Sequence, residues 1–175
     1  IYSIKYPAQE DRPVFRLCER RRTMTQLSDG QLIWRLVLSA VLSGIVGMER
    51  EMRGRSAGLR THILVGLSSC LLMVLSIFVA QSFGEPHVFD PGRIAAGVVT
   101  GIGFLGAGTI IRFGESVKGL TTAASLWSVA ALGLAIGVGF YAAAYATTAL
   151  MLITLLVLSK VERNISATKG KGGAA

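Results

Sequence analysis

The chain is poor in cysteine, histidine and acidic residues, and each shortage argues against a class of function. Its only cysteines, Cys18 and Cys70, stand far apart, so neither a disulfide framework nor a cysteine metal site is readable. The two histidines, His62 and His87, are placed in different loops with no metal-ligand spacing between them, and no Ser-His-Asp or Cys-His arrangement is evident. We therefore expect no metal site, no cofactor and no enzymatic activity.

Charged residues are scarce as well, and they are bunched along the chain. Only 16% of the 175 residues are charged whereas 51% are hydrophobic, a composition typical of a membrane protein rather than of a soluble domain. The net charge of +8 is not arranged as a basic stripe interleaved with aromatic residues, so we expect no nucleic-acid partner. Arginines beside apolar runs are expected instead at the cytoplasmic flanks of a protein embedded in an anionic lipid bilayer.

The apolar runs predict an all-α polytopic membrane protein with five transmembrane helices. Ser28 and Gln31 form a capping box ahead of the first span, and Asp90 with Pro91 marks the start of the third helix. No formal charge occurs from Gly119 to Ser159, and as a single helix this run would be ~60 Å long, about twice the hydrocarbon thickness, so it has to fold back. The predicted spans are residues 31–48, 63–83, 94–111, 121–138 and 142–159.

The charges outside these spans predict the domain limits and the orientation. A basic head (1–23) precedes the transmembrane domain (24–160), and a basic tail (161–175) expected to be disordered follows it. Residues 1–23 are either a genuine basic N-terminal extension or sequence upstream of a translation start at Met24. Without them, Arg93 is the only basic residue predicted in the loops on the external side of the membrane. Because positively charged loops stay inside, we expect an external N-terminus and a cytoplasmic C-terminus. Arg35, one turn inside the first span, is interpreted as an interfacial anchor.

Glycine is abundant in the third span and recurs in the fourth. Such residues let neighbouring helix backbones approach closely in a membrane, so we interpret the third span as the packing hub of the protein. A G-x-G-x-x-G pattern at Gly101–Gly106 lies inside an uncharged span instead of between a strand and a helix, which argues against a nucleotide site. The glycines predicted to pack helices are Gly97, Gly101, Gly103, Gly106, Gly108, Gly133 and Gly137.

The loop between the first two spans, residues 47–62, is dense in arginine. Glu49 and Glu51 each precede an arginine by four residues, Arg53 and Arg55, which is the favourable orientation for ion pairs on a helix that continues past the membrane. The arginines either set the topology or bind an anionic group or a partner, and the sequence leaves both interpretations open.

Three blocks of this chain resemble the MgtC/SapB family of bacterial inner-membrane proteins. The blocks are GMEREMRGRSAGLRTHILVGL (47–67), PGRIAAGVVTGIGFLGAGTIIRF (91–113) and VKGLTTAASLWSVAALGLAIGV (117–138), within a match over about residues 27–160. The resemblance implies five transmembrane helices and adaptation to low magnesium, and in pathogens survival inside host cells. It also implies an action on other membrane proteins, including the ATP synthase and cation transporters.

The resemblance also implies a set of functional positions. Thr121 stands where some family members have Asn, Ser128 stands where some have Cys, and the chain resembles a short form without the soluble C-terminal domain of longer members. The positions carried over are Glu49, Arg50, Arg60, Thr61, Arg93, the Gly101–Gly108 run, Gly119, Thr121 and Trp127. To these the charge map adds the interfacial residues Arg53, Arg55, Arg112 and Lys118.

Two functions from different classes remain, a modulator of another membrane protein and a transporter of Mg²⁺ or another cation. Intramembrane acids normally mark ion pathways, but every acid here falls in a loop or at a helix end. The bilayer middle offers only hydroxyls and backbone carbonyls, with Ser39, Thr100, Thr109 and Ser128 as candidates. We therefore expect a modulator that binds another membrane protein, and leave open whether the chain forms a homodimer.

Overall fold

The computed structural model describes residues 27–83 and 90–158 and shows a helical bundle. The helices are α1 (Asp29–Met52), α2 (Leu59–Phe83), α3 (Pro91–Gly108), α4 (Leu120–Val138) and α5 (Tyr141–Ile153), which continues as a π-helical turn, Thr154–Leu158. Two short strands, β1 (Ile111–Phe113) and β2 (Ser116–Lys118), join α3 to α4. The predicted head, tail, Met24 start, Cys18 and His87 lie outside the described residues.

The predicted all-α membrane architecture is confirmed. Within the described ranges, α1, α2 and α4 are each long and apolar enough to cross a bilayer. Helix α3 has 18 residues, and the apolar helix after residue 140 is shorter still, at Tyr141–Val157. The exact number of five spans therefore stays a prediction.

The predicted helix starts agree with the capping interactions. The Ser28 hydroxyl accepts a hydrogen bond from the Gln31 backbone N–H at 3.3 Å, and the Gln31 side chain accepts one in return from the Ser28 N–H at 3.3 Å. The Asp90 carboxylate accepts a hydrogen bond from the Gly92 N–H at 2.8 Å, with Pro91 at the first helical position. These side chains satisfy N–H groups that have no partner within their own helix.

The predicted polar turn at residues 112–119 is an antiparallel β-hairpin. Ile111 pairs with Lys118 and Phe113 pairs with Ser116, around Gly114 with φ of 59°. Gly119, with φ of 92°, closes the hairpin onto α4, and a side chain there would collide with the Thr109 carbonyl. Only glycine fits this position, because both its backbone conformation and its surroundings exclude a Cβ atom.

The bundle is built around the contact between α2 and α4, with α1 packed against both. Gly133 and Gly137 of α4 lie directly on α2: a Cβ atom on Gly133 would come within 2.9 Å of Ser69 Cβ, and one on Gly137 within 2.6 Å of Met73 Cβ. The buried apolar cluster at this contact comprises Leu38, Leu42, Cys70, Val74, Leu132, Ile136 and Ala144.

The glycine-rich helix α3 is not the packing hub that the sequence predicted. Among the described residues, a Cβ atom on Gly97, Gly101, Gly103 or Gly108 would meet no atom within 4 Å, and of the five predicted packing glycines of α3 only Gly106 lies against a neighbour, 3.5 Å from Ala123 Cβ. Small residues show where a helix can be approached closely but not which helix approaches it. Within one chain α4 packs closely on α2 through its own glycines and leaves most of the α3 glycines facing outward.

Candidate functional site

Five polar side chains are buried together where α1 ends and where α2 and α4 begin. Glu49 and Arg50 come from α1, His62 from α2, and Thr122 and Ser125 from α4. None of these residues exposes more than 5% of its surface. We call them the polar cluster, and they are the candidate functional site because buried charged groups are costly unless they are paired.

A close crossing of α1 and α2 brings the cluster together. Gly47 lies on the start of α2, where a Cβ atom would be 2.9 Å from both His62 Cβ and Leu59 Cα. The connection is tightened by Glu51, whose carboxylate accepts a hydrogen bond from the Leu59 N–H at 3.0 Å. Gly58 is required beside it, since a side chain there would collide with that carboxylate.

Of the two predicted ion pairs in the α1–α2 loop, the structure shows one. Glu49 pairs with Arg53 through its Oε1 atom. Helix α1 ends at Met52, so Glu51 and Arg55 do not lie one turn apart on a continuous helix, and Glu51 caps α2 instead. The prediction for that pair is wrong because it assumed that α1 continues beyond the membrane.

Arg50 connects α1 to α4. Its Nη2 atom donates a hydrogen bond to Thr122 Oγ1 at 3.0 Å, deep in the bundle, while its Nε atom is buried with no hydrogen-bond partner in the described part of the chain. The resemblance pointed to the neighbouring Thr121, which is exposed. Successive residues of an α-helix point ~100° apart, so a shift of one position moves the hydroxyl from the lipid side to the core.

His62 joins α2 to α4 and was not among the predicted site residues. Its Nδ1 atom lies 2.8 Å from the Gly58 carbonyl oxygen and its Nε2 atom 3.1 Å from Ser125 Oγ. Ser125 also donates a hydrogen bond to the Thr122 carbonyl at 2.8 Å. Sequence analysis placed His62 in a loop, but it lies in the first turn of α2 and is fully buried. The i, i+3 spacing of Thr122 and Ser125 on the apolar face of α4 is the signal that could have located its partner.

Electrostatically, the one carboxylate of the cluster lies near two guanidinium groups, that of Arg50 within the cluster and that of Arg53 outside it. Both Glu49 oxygens are buried and, among residues 27–83 and 90–158, have no hydrogen-bond donor beyond the ion pair to Arg53; Arg50 follows Glu49 directly. This arrangement stabilises an anion and opposes the entry of a further cation. Within residues 27–83 and 90–158, no three His, Cys, Asp or Glu side chains come together in a group that could hold a metal ion.

The remaining predicted site residues lie outside the cluster. Arg112 donates a hydrogen bond from Nε to the Gly114 carbonyl at 2.9 Å, and Lys118 lies 5.8 Å from the centre of the Phe113 ring. Arg93 is exposed at the opposite end of the bundle, in the first turn of α3. The other exposed members of the predicted set are Arg55, Arg60, Thr61 and Trp127.

Arg35 is part of the bundle instead of a purely lipid-facing anchor. Its Nη1 atom donates a hydrogen bond to the Gly137 carbonyl at 2.7 Å, and its Nε atom donates one to the Tyr141 hydroxyl at 3.2 Å. The guanidinium therefore caps the C-terminal end of α4, where the helix dipole favours a positive charge.

Comparison with known proteins agrees with the resemblance seen in the sequence. The chain is 51% identical over 113 residues to YhiD of Escherichia coli strain K12, whose name provisionally assigns it to magnesium transport. It is 39% identical over 140 residues to SapB of Bacillus subtilis, and 39% identical over 134 residues to MgtC of Salmonella typhimurium strain LT2.

These matches cover 63%, 78% and 77% of this chain, respectively, and 53%, 60% and 55% of the relatives. The chain thus spans little more than half the length of the curated relatives it matches. No solved structure matches it significantly. The model of the MgtC family matches residues 36–164, which include all three blocks quoted above and every residue of the polar cluster, and so this membrane protein belongs to the MgtC family.

Proposed function

We propose that this chain is an inner-membrane protein that helps the cell adapt to low magnesium by binding another membrane protein and changing its activity. The link to magnesium is supported by family membership and by the name of the Escherichia coli relative. The charge distribution supports an external N-terminus and a cytoplasmic C-terminus, which puts the polar cluster at the cytoplasmic end of the bundle.

The observation that carries the proposal is the pairing of Glu49. Mg²⁺ prefers one or two carboxylates and keeps several of its waters. Glu49 is the only carboxylate that the structure buries within the described residues, and it is paired with Arg53 and followed by Arg50. A divalent cation there would have to displace an arginine and lose its hydration, so the cluster is better suited to hold three helices together.

The hydroxyls considered for an ion path also argue against conduction. Thr100 and Ser128 donate hydrogen bonds to the carbonyls of Ala96 and Ala124 in their own helices, each at 3.0 Å. Thr109 donates to the Gly106 carbonyl at 2.8 Å. Of the four candidates only Ser39 is buried in the bundle, and its hydroxyl donates to the Gly66 carbonyl at 2.9 Å.

The exposed apolar surface is where a partner would bind. Phe104 of α3 exposes 83% of its surface, and the outward glycines of the same helix leave room for another backbone. A photo-crosslinking residue that replaces Phe104 should capture a discrete membrane protein in cells grown in low magnesium. The same residue in place of Leu150 on α5 provides the comparison. Capture of lipid alone at both positions would contradict the proposal.

Cation transport is the second candidate, because the name of one relative points to it and one buried hydroxyl of the described residues lacks a hydrogen-bond partner. Ser43 lies in the bundle, less than one turn from the centre of α1 toward the polar cluster's end, and its Oγ atom has no hydrogen-bond partner among the described residues. The test is Mg²⁺ uptake into proteoliposomes that contain only this purified protein. Saturable uptake that is lost in Ser43→Ala and Glu49→Gln would establish transport, whereas uptake equal to that of empty liposomes would exclude it and favour the modulator.

A further inference from the structure

A groove runs along the outer face of α1 toward the arginine-rich connection. Its volume is about 700 Å³, and it is lined by α1 from Val37 to Met52, by Leu59 and Ile63 at the start of α2, and by Leu152 of α5 and Leu156 of its π-helical continuation. Val37 and Met52 are ~22 Å apart along the helix axis, whereas one leaflet of the hydrocarbon core is about 15 Å deep. The groove is therefore long enough to receive one extended acyl chain.

One end of this groove, where Glu49 is its only charged lining residue, adjoins residues 49–60, a segment with four arginines and two glutamates. The lining residue Met52 is followed directly by Arg53, and the lining residue Leu59 by Arg60, with Arg55 between them in the connection. Arg55 and Arg60 are exposed, and the Arg53 side chain retains 21% of its exposure. The two glutamates nearby are already engaged, since Glu49 pairs with Arg53 and Glu51 caps α2.

From this arrangement we propose that the groove is a binding site for one anionic phospholipid, with an acyl chain along α1 and the phosphate headgroup on Arg60 and its neighbours. The apolar lining of the groove accommodates an acyl chain but does not favour an anionic lipid over a neutral one. An acyl chain gains no hydrophobic free energy when it moves from the bilayer into an apolar groove. Selection comes from the arginines, each worth about fivefold in affinity for an anionic lipid surface. The same charges disfavour the basic flank that a partner helix normally carries on its cytoplasmic side.

A second groove in the same molecule provides a matched control. It lies between α2 and α3, has a volume of about 620 Å³, and is lined by residues that include Leu64, Leu72, Gly97 and Gly101. Its lining is also mainly apolar, with Ser68 and Ser69 as its polar members, but it adjoins a single arginine, Arg93 next to the lining residue Ile94, and none of the arginines of the α1–α2 connection. If apolar shape alone retained lipid, the two grooves would behave alike.

The test is native mass spectrometry of the full chain in mild detergent, titrated with phosphatidylglycerol or with phosphatidylcholine of the same chain length. We expect one phosphatidylglycerol per chain to be retained more tightly than phosphatidylcholine, and Arg60→Gln to weaken it about fivefold. Ile45→Trp, which fills the groove from an exposed position, should abolish retention. Gly101→Leu in the second groove and Lys169→Gln in the tail should leave it unchanged.

The proposal is overturned if both lipids bind equally, or if Gly101→Leu weakens retention as much as Ile45→Trp. Val41→Trp fills the same groove from another exposed position and replaces Ile45→Trp if that variant loses its helical circular-dichroism signal. A photo-crosslinker at Ile45 that captures a second copy of the chain or another protein in cells, instead of lipid, would assign the groove to a protein partner and equally overturn it. The two proposals are tested separately. If the chain is not a modulator, crosslinking at Phe104 captures no membrane protein, whereas the result of the lipid titration does not change.

Discussion

Arg50 of α1 donates a hydrogen bond to Thr122 of α4 across a distance of 3.0 Å, inside the bundle and shielded from water. The two residues lie 72 positions apart in the chain, and the contact joins the end of the first helix to the start of the fourth. A charged donor in this setting makes a stronger hydrogen bond than a neutral one, and its loss leaves a buried charge unsatisfied.

Thr122→Val should therefore destabilise the protein, because it keeps the shape of the side chain but removes the acceptor of the Arg50 guanidinium. We expect a loss of about 1.5–3 kcal/mol in the free energy of unfolding. The measurement is unfolding by sodium dodecyl sulfate in mixed micelles, followed by circular dichroism. Thr121→Val, one residue away and exposed, is the control and should change little; equal losses in both variants would show that the Arg50 contact contributes nothing.

The glycines of α3 and α4 should respond oppositely to the same substitution. Gly133→Ala forces a methyl group against Ser69 and the backbone of α2, which we expect to cost about 1–3 kcal/mol. Gly101→Ala meets no atom within 4 Å and should be neutral or slightly stabilising, because alanine favours a helix more than glycine. Thermal unfolding in detergent distinguishes the two, and a destabilised Gly101→Ala would show that α3 packs against a second copy under those conditions.

The two ion pairs predicted from the sequence can be separated by double-mutant cycles. Glu49→Gln combined with Arg53→Gln should show a coupling energy of about 1–2 kcal/mol, because the Glu49 carboxylate is buried. The cycle for Glu51 and Arg55 should give a coupling near zero, since Glu51 is engaged with the backbone of Leu59. Equal coupling energies in the two cycles would contradict the structure of the α1–α2 connection.

Removing the cap at the other end of α4 should also weaken the bundle. Arg35→Gln loses hydrogen bonds to the Gly137 carbonyl and the Tyr141 hydroxyl, and we expect a loss of about 1–2 kcal/mol. Tyr141→Phe removes only one of these bonds and should have a smaller effect. If Arg35→Gln were neutral in unfolding experiments, the residue would act only as a lipid anchor.

The elements that the sequence predicted well are those whose signals are local. The capping box at Ser28, the start of α3 at Asp90 and the turn between α3 and α4 each depend on residues within a few positions of one another. The membrane character follows from composition alone, because uncharged apolar runs of this length are typical of transmembrane helices.

What the sequence did not predict depends on the rotation of one helix against another. The burial of Thr122 instead of its neighbour Thr121, and the position of His62 in a helix instead of a loop, each depend on about one residue or one turn of helix, which moves a side chain between the surface and the core. Likewise, the glycines of α3 and α4 look equivalent in the sequence, and only the packing of α2 distinguishes them. In lipid the outward face of a helix is apolar as well, so apolar periodicity alone does not mark its buried face, and only polar pairs such as Thr122 and Ser125 do so.

The two arginines of α1 bind α4 at matching intervals. Arg35 binds Gly137 and Arg50 binds Thr122, and the two arginines are separated by the same number of residues as their two partners. The antiparallel helices α1 and α4 are therefore joined at two points that lie ~22 Å apart along each helix. Helices tied at two such points can neither slide along nor rotate about each other without breaking both contacts. Within the described residues, any rearrangement that leaves these two contacts intact therefore keeps α1 and α4 in a fixed register.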